Sequence, residues 1–205
     1  MFYTIKEDCS AEITEKKSKF ICNVFHVESV DEAEEKLNII RKKYHDARHN
    51  CFVYKIAEDG VFKASDDGEP SGTAGVPMLN IINGRNISNV LVVVTRYFGG
   101  ILLGTGGLVR AYSMATMNAL DEAEIVKQEE GMKAEFLVGY KELDEVKYHL
   151  KNRNITISKI EYSEKVKLTV EGEKNSIFNL EKEKLSDRVV LEHVKILGKK
   201  YIQVQ

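Results

Sequence analysis

Tryptophan is absent from this chain, proline occurs twice and cysteine three times. The cysteines, Cys9, Cys22 and Cys51, make an odd count with no C-x-x-C pair. That argues against a disulfide framework and a cysteine-rich zinc site, and it suits a reducing compartment. Charge of one sign is missing too: 30 Lys and Arg face 32 Asp and Glu, for a net charge of −2. A dedicated nucleic-acid binder is strongly basic, so any RNA contact must rest on a local patch, and DNA specificity is not expected. No apolar run comes near the roughly 20 residues that span a bilayer; the longest is Val90 to Val94. Met1 to Asp8 turns polar too early for a signal peptide. The expectation is a cytoplasmic protein with no membrane partner.

Hydrophobic residues fill 43% of the 205 positions, enough for a core without metals or disulfides, and the length gives room for one large domain or two small ones. Tyr3 to Ile5, Ala11 to Ile13 and Phe20 to Phe25 read as extended segments. Ser29-Val30-Asp31-Glu32 is a capping box. Val30, Ala33, Leu37, Ile40 and Tyr44 then recur at helical spacing, so a helix is predicted from Val30 to Lys43. Two strands follow, Cys51 to Ile56 and Val61 to Ala64, joined at Glu58-Asp59-Gly60. A loop rich in acids and turn residues runs from Ser65 to Gly75. A short helix is expected from Ala74 to Asn83, ended by Asn83-Gly84. Val90 to Thr95, apolar on both faces, reads as a buried strand. Gly99 to Gly107 leads into a second amphipathic helix whose buried face is Leu108, Ala111, Tyr112, Ala115 and Ala119.

Composition shifts at Lys127 to Gly131, which places a domain division at 1–128 and 129–205. The second part reads as strand Ala134 to Val138, helix marked by Leu143, Val146 and Leu150, strands around Ile155/Ile157 and Val166/Leu168/Val170, helix Ile177 to Leu185 and strand Val189 to Ile196. That βαββαβ order is the ferredoxin-like plan, so the fold class is α+β.

The glycine-rich stretch is the strongest chemical signal. Glycines let backbone N–H groups converge on an anion, and a following helix adds its positive end. Gly99 to Gly104 has P-loop spacing, but Thr105 stands where lysine is required. Val109 stands where a dinucleotide fingerprint needs glycine. The plainer alternative is a tight strand-to-helix connection. Arg96-Tyr97-Phe98 just upstream suits a phosphate grip beside stacking aromatics; the alternative buries the aromatics and pairs Arg96 with a carboxylate. Asp66, Asp67 and Glu69 are candidate Mg²⁺ ligands or a solvated turn. His45 and His49 with Cys51 lack a complete zinc set. His49 and Ser71 are candidate polar site residues, although Ser71 sits in no nucleophile elbow. Cys51 beside His49 is a candidate thiol in an apolar strand. No catalytic set names a reaction, so a binding role leads over an enzymatic one and no cofactor or metal is expected.

Gly75-Val76-Pro77-Met78-Leu79 and the run from Val93 to Gly104 resemble the signature of the YigZ/IMPACT family. Asp66 to Gly75 resembles its acidic loop, and His49-Asn50-Cys51-Phe52 its preceding strand; the likeness spans about residues 15–120. The resemblance implies a first domain with the fold of the second domain of ribosomal protein S-five, as in domain IV of the translocation elongation factor. It implies a ferredoxin-like second domain similar to domain V of that factor. Eukaryotic members begin with a different domain and regulate translation through a partner that activates an initiation-factor kinase. By analogy, Arg96, Tyr97, Phe98, Gly99, Gly100, Gly104, Thr105, Gly106, Gly107 and Arg110 form the functional surface. The leading expectation is an RNA- or ribosome-binding protein, with the second domain as a further contact or a homodimer surface. The rivals are an enzyme on a phosphorylated or nucleotide substrate, and a protein-interaction module.

Overall fold

A computed structural model describes residues 1–58, 60–182, 189 and 191–204 of the chain. It divides into two compact units, Phe2–Lys127 and Gln128–Gln205 together with Met1. The first carries β1 (Phe2–Ile5), β2 (Cys9–Glu15), β3 (Ser18–His26), α1 (Val30–Lys43), β4 (His49–Lys55), β5 (Phe62–Ser65), α2 (Gly75–Gly84), β6 (Val90–Tyr97) and α3 (Thr105–Glu122). The chain then enters β7 (Ile125–Val138), followed by α4 (Leu143–Asn152), β8 (Thr156–Tyr162), β9 (Val166–Gly172), α5 (Lys174–Lys182) and β10 (Glu192–Val204). The class is mixed α+β, as the sequence predicts. Asp59 of the expected hairpin turn, 183–185 of the expected last helix and position 190 of the expected last strand lie outside the described residues. Among the described residues no helix is long and apolar enough to cross a membrane.

The first unit is built on one sheet in the order β2-β3-β6-β4-β5, with antiparallel pairing throughout. β6 sits at its centre and is buried along nearly its whole length. Alternation of side chains along a strand sends Val90, Val92 and Val94 to one face and Leu91 and Val93 to the other. The first set packs with Met78 and Ile82 of α2 and Leu108, Ala111, Tyr112 and Ala115 of α3. The second set packs with Ala33, Leu37 and Ile40 of α1. A strand apolar on both faces is typical of parallel sheets; here an antiparallel sheet has one because helices cover both sides.

α1 occupies the predicted span because its start is capped. Ser29 Oγ accepts the Glu32 N–H at 3.1 Å, and Glu32 Oε2 accepts the Glu28 N–H at 2.9 Å. The glutamate thus reaches one residue further back than a standard capping box. Arg41, Lys42 and Lys43 lie in its last turn, where they complement the helix dipole.

β2 and β3 form a hairpin that the sequence does not announce. Glu15 pairs with Ser18, leaving Lys16 and Lys17 as a two-residue turn at φ 45° and 64°. Two successive left-handed residues define the turn type usually written Asn-Gly, and here both are lysine.

In the second unit the strand order β8-β9-β7, with β10 on the other side of β7, is the ferredoxin-like arrangement. α4 and α5 cover one face through Val146, Leu150, Ile177 and Leu180, against Phe136, Val138, Leu168 and Val170. Off that core, Lys133 meets Glu171 at 3.3 Å and Lys167 meets Glu135 at 2.8 Å. β7 begins far earlier than the predicted Ala134, because the charged run at Lys127 to Gly131 is itself strand.

Leu37→Ala removes a fully buried side chain from the α1 layer and should cost about 2–5 kcal/mol. Two positions on, Ile39 is 56% exposed, and Ile39→Ala should stay within about 0.5 kcal/mol of wild type. Urea titrations of the two variants check the contrast; equal losses would contradict the assigned face.

Candidate functional site

Strand register brings the chemical residues to one end of the first sheet. Lys19 lies opposite Tyr97, and His49 opposite Arg96. The β2–β3 turn, the start of β4, the end of β6 and the loop into α3 therefore converge. The acidic loop after β5 arrives at the same end, since Ser65 pairs with Phe52 near the start of β4.

Arg96, expected at the surface as a phosphate grip, is buried instead, with 7% exposure. It follows Val92 and Val94 on the strand face that carries α3, so its side chain runs inward. Its Nη1 donates to Glu69 Oε1 at 2.7 Å. The same carboxylate oxygen accepts the Tyr112 hydroxyl at 2.9 Å. Cys51 Sγ lies 3.3 Å from Tyr112 Oη and 2.9 Å from the Asp66 carbonyl oxygen. The guanidinium also sits over the rings of Phe20, at 5.4 Å, and Phe98, at 5.7 Å. Its Nε is buried without a hydrogen-bond acceptor. The paired reading of Arg96 is therefore the one the structure adopts.

Burial pushes the Cys51 thiol up to about 12, helped by the charges of Glu69, Asp67 and Asp66 and opposed by the Tyr112 hydrogen bond. It stays a thiol rather than an activated thiolate. The Tyr112 hydroxyl is likewise driven well above its ordinary range, by burial first and then by Cys51 and Glu69.

The three acids expected as a candidate Mg²⁺ set turn to different partners. Glu69 is committed to Arg96 and Tyr112. Asp67 Oδ2 accepts the Asn50 N–H at 2.7 Å, and its Oδ1 lies 3.8 Å from Arg41 Nη2. Asp66 Oδ1 accepts the N–H groups of Ala74 and Gly75 at 2.9 and 2.8 Å, and its Oδ2 accepts that of Gly72 at 2.8 Å. Among the described residues no three His, Cys, Asp or Glu side chains gather as a metal cluster. α1 ends at Lys43, so His45 and His49 do not share a helical face; His49 Nδ1 instead lies 2.9 Å from the Asp67 carbonyl oxygen. Ser71 is exposed on the loop.

Tyr97 donates its hydroxyl to Asp46 at 2.7 Å, and that bond pushes the hydroxyl up to about 12. The glycine stretch divides its labour. A Cβ on Gly99 would stand 2.0 Å from the Lys17 carbonyl carbon, so only glycine fits there. The Gly99 N–H donates to Ser18 Oγ at 3.1 Å. Gly100 and the helix-capping Gly104 hold φ of 83° and 72°, and Gly107 packs closely on Leu103. Thr105, Gly106 and Arg110 are exposed at the start of α3. Sequence reasoning missed Lys16 and Lys17, which the Gly99 contact fixes beside this loop. The adjacent lysine pair was visible, but its neighbour lies some eighty positions away and only the β3–β6 pairing joins them.

A family model described as the Impact N-terminal domain matches residues 16–120. The chain belongs to the IMPACT family. A second model, a domain of unknown function, matches residues 137–183. IMPACT family member YvyE of Bacillus subtilis is 41% identical over 166 residues, covering 80% of this chain and 76% of its own. IMPACT family member YigZ of Escherichia coli is 44% identical over 108 residues, covering 51% of this chain and about half of its own length, 53%. A crystal structure described as a hypothetical protein aligns over 96% of both chains at 30% identity, with TM-score 0.65.

Two outcomes follow from this geometry. Glu69→Ala leaves the Arg96 charge buried without a partner and should cost about 3–5 kcal/mol in a urea titration. Asp66 resists ionisation through burial, yet its three backbone donors win and hold the carboxyl below its ordinary range. A lowered native pKa stabilises the fold above the unfolded value, about 3.9, and that gain is lost as pH falls through the native value. Asp66→Asn should therefore be less stable than wild type at about pH 7, with the gap narrowing as pH falls below about 3.9. A gap that is constant with pH would contradict this.

Proposed function

We propose that this IMPACT family member is a translation-linked binding protein that contacts RNA or a ribosomal component through the surface around the glycine loop. The observation that carries the reading is the fixed position of Lys16 and Lys17 against Gly99, beside the open start of α3. Both lysines are exposed; the close approach of Gly99 to the Lys17 backbone and its N–H bond to Ser18 Oγ set their turn beside the loop. Arg110 adds a third exposed cation; a Cβ on Gly106 would lie 3.8 Å from its Nη1, so the guanidinium lies back over the first turn of the helix. Side-chain capping is missing at that helix start, leaving its first N–H groups and the positive end of its dipole available to phosphate. This local patch supplies what the overall charge does not. The family resemblance supports the link to translation, since eukaryotic members act as translation regulators.

In this reading Arg96 positions the site and touches no phosphate. Tyr97, Phe98, Gly99, Gly100, Gly104, Thr105, Gly106, Gly107 and Arg110 form the contacting loop and helix start, joined by Lys16 and Lys17. The acidic loop of Asp66, Asp67 and Glu69, tied to His49, Asn50 and Arg96, braces it, while Ser71 stays exposed on that loop.

Filter binding of the purified chain to ribosomal and unstructured RNA across a salt series tests the proposal. The double variant Lys16→Ala, Lys17→Ala should bind more weakly. Its salt slope on single-stranded RNA should be shallower by roughly 0.7 for each phosphate it no longer neutralises. Unchanged affinity and slope in that variant would remove the lysine turn from the site. No RNA binding by wild type at low salt would remove the RNA reading and leave protein partners to be sought.

A further inference from the structure

Phosphate contacts position a protein on RNA; contacts to bases select what kind of RNA it takes. Beside the lysine turn, residues 98–102 present three large apolar side chains to solvent. Phe98 is 52% exposed, Ile101 43% and Leu102 82%. A cationic phosphate site has no electrostatic use for them, and the turn geometry at Gly99 and Gly100 does not need them.

The Phe98 ring is held in place. The Arg96 guanidinium lies 5.7 Å from its centroid, and that guanidinium is itself fixed by the 2.7 Å bond to the buried Glu69. Phe98 also adjoins Gly99, which is wedged against the Lys17 backbone. The ring therefore combines a supported face, an exposed remainder and two cations on a turn fixed beside it. A flat aromatic surface of that kind offers stacking to any base whose faces are free. In a paired helix the base faces are covered by their neighbours, whereas unpaired nucleotides can splay out and stack on a protein ring.

We infer that Phe98 is a stacking platform for an unpaired RNA base, so that this site takes single-stranded rather than fully paired RNA. The inference rests on the RNA reading given above. Lys16 and Lys17 hold the adjoining phosphates, and Ile101 and Leu102 give the splayed base or its sugar an apolar wall. Arg96 and Glu69 keep the ring in place from beneath, which gives the buried ion pair a positioning role.

Fluorescence anisotropy with a fluorescein-labelled RNA strand, alone and annealed to its complement, tests this. Wild type should bind the single strand more tightly than the duplex. Phe98→Leu keeps an apolar side chain but no ring, and should weaken single-strand binding roughly 5- to 150-fold, a far larger loss than for the duplex, with the salt slope retained because no cation is removed. Phe98→Tyr should restore single-strand binding, and thermal unfolding should show all variants folded. Equal binding of strand and duplex, or a Phe98→Leu variant that binds the strand like wild type, overturns the inference while leaving the RNA reading in place. Failure of wild type to bind either RNA overturns both.

Discussion

The buried pair of Arg96 and Glu69 ties together three parts of the chain that are far apart in sequence. Arg96 is the last residue but one of the central strand, Glu69 belongs to the acidic loop, and Tyr112 brings in the helix that covers them. Two charges taken out of water are a poor source of net stability. Their value lies in specificity, because each charge is tolerable only when the other is in place. The ion pair thereby anchors the acidic loop to the end of the central strand. Asp66 then secures the loop locally, by gathering the N–H groups at the start of α2.

Cations and aromatics are divided by depth at this end of the molecule. The guanidinium that sequence reasoning put at the surface is inside, where it steadies a ring; the charges facing solvent come from a different hairpin. A recognition surface assembled this way has rigid backing and polar reach without a strongly basic chain. Under the proposed function, that is how a local anion site coexists with a net charge of −2.

Much of the fold was legible because it is local. α1 was readable from its cap and its apolar spacing, and β6 from a valine run long enough for one strand. The second domain's order of elements followed from its periodicity. What was not legible depends on distant partners. Nothing near Arg96 in the sequence announces Glu69, 27 positions away. β7 was predicted too short because Lys127, Glu129 and Glu130 disguise a strand that buries Gln128 and Gly131 between them. The β2–β3 turn escaped notice because Lys-Lys carries none of the usual turn chemistry.

That same turn sets two demands on the chain against each other. Left-handed backbone at a residue with a side chain costs roughly 1–2 kcal/mol, and Lys16 and Lys17 both adopt it. Asparagine followed by glycine would relieve most of that cost, yet would strip both charges from the surface beside Gly99. The hairpin thus holds an unfavourable conformation, and under the proposed function that conformation sets where its ammonium groups stand. Such a change would trade two of the three exposed cations of the proposed site for stability, leaving Arg110 to carry the charge of that surface.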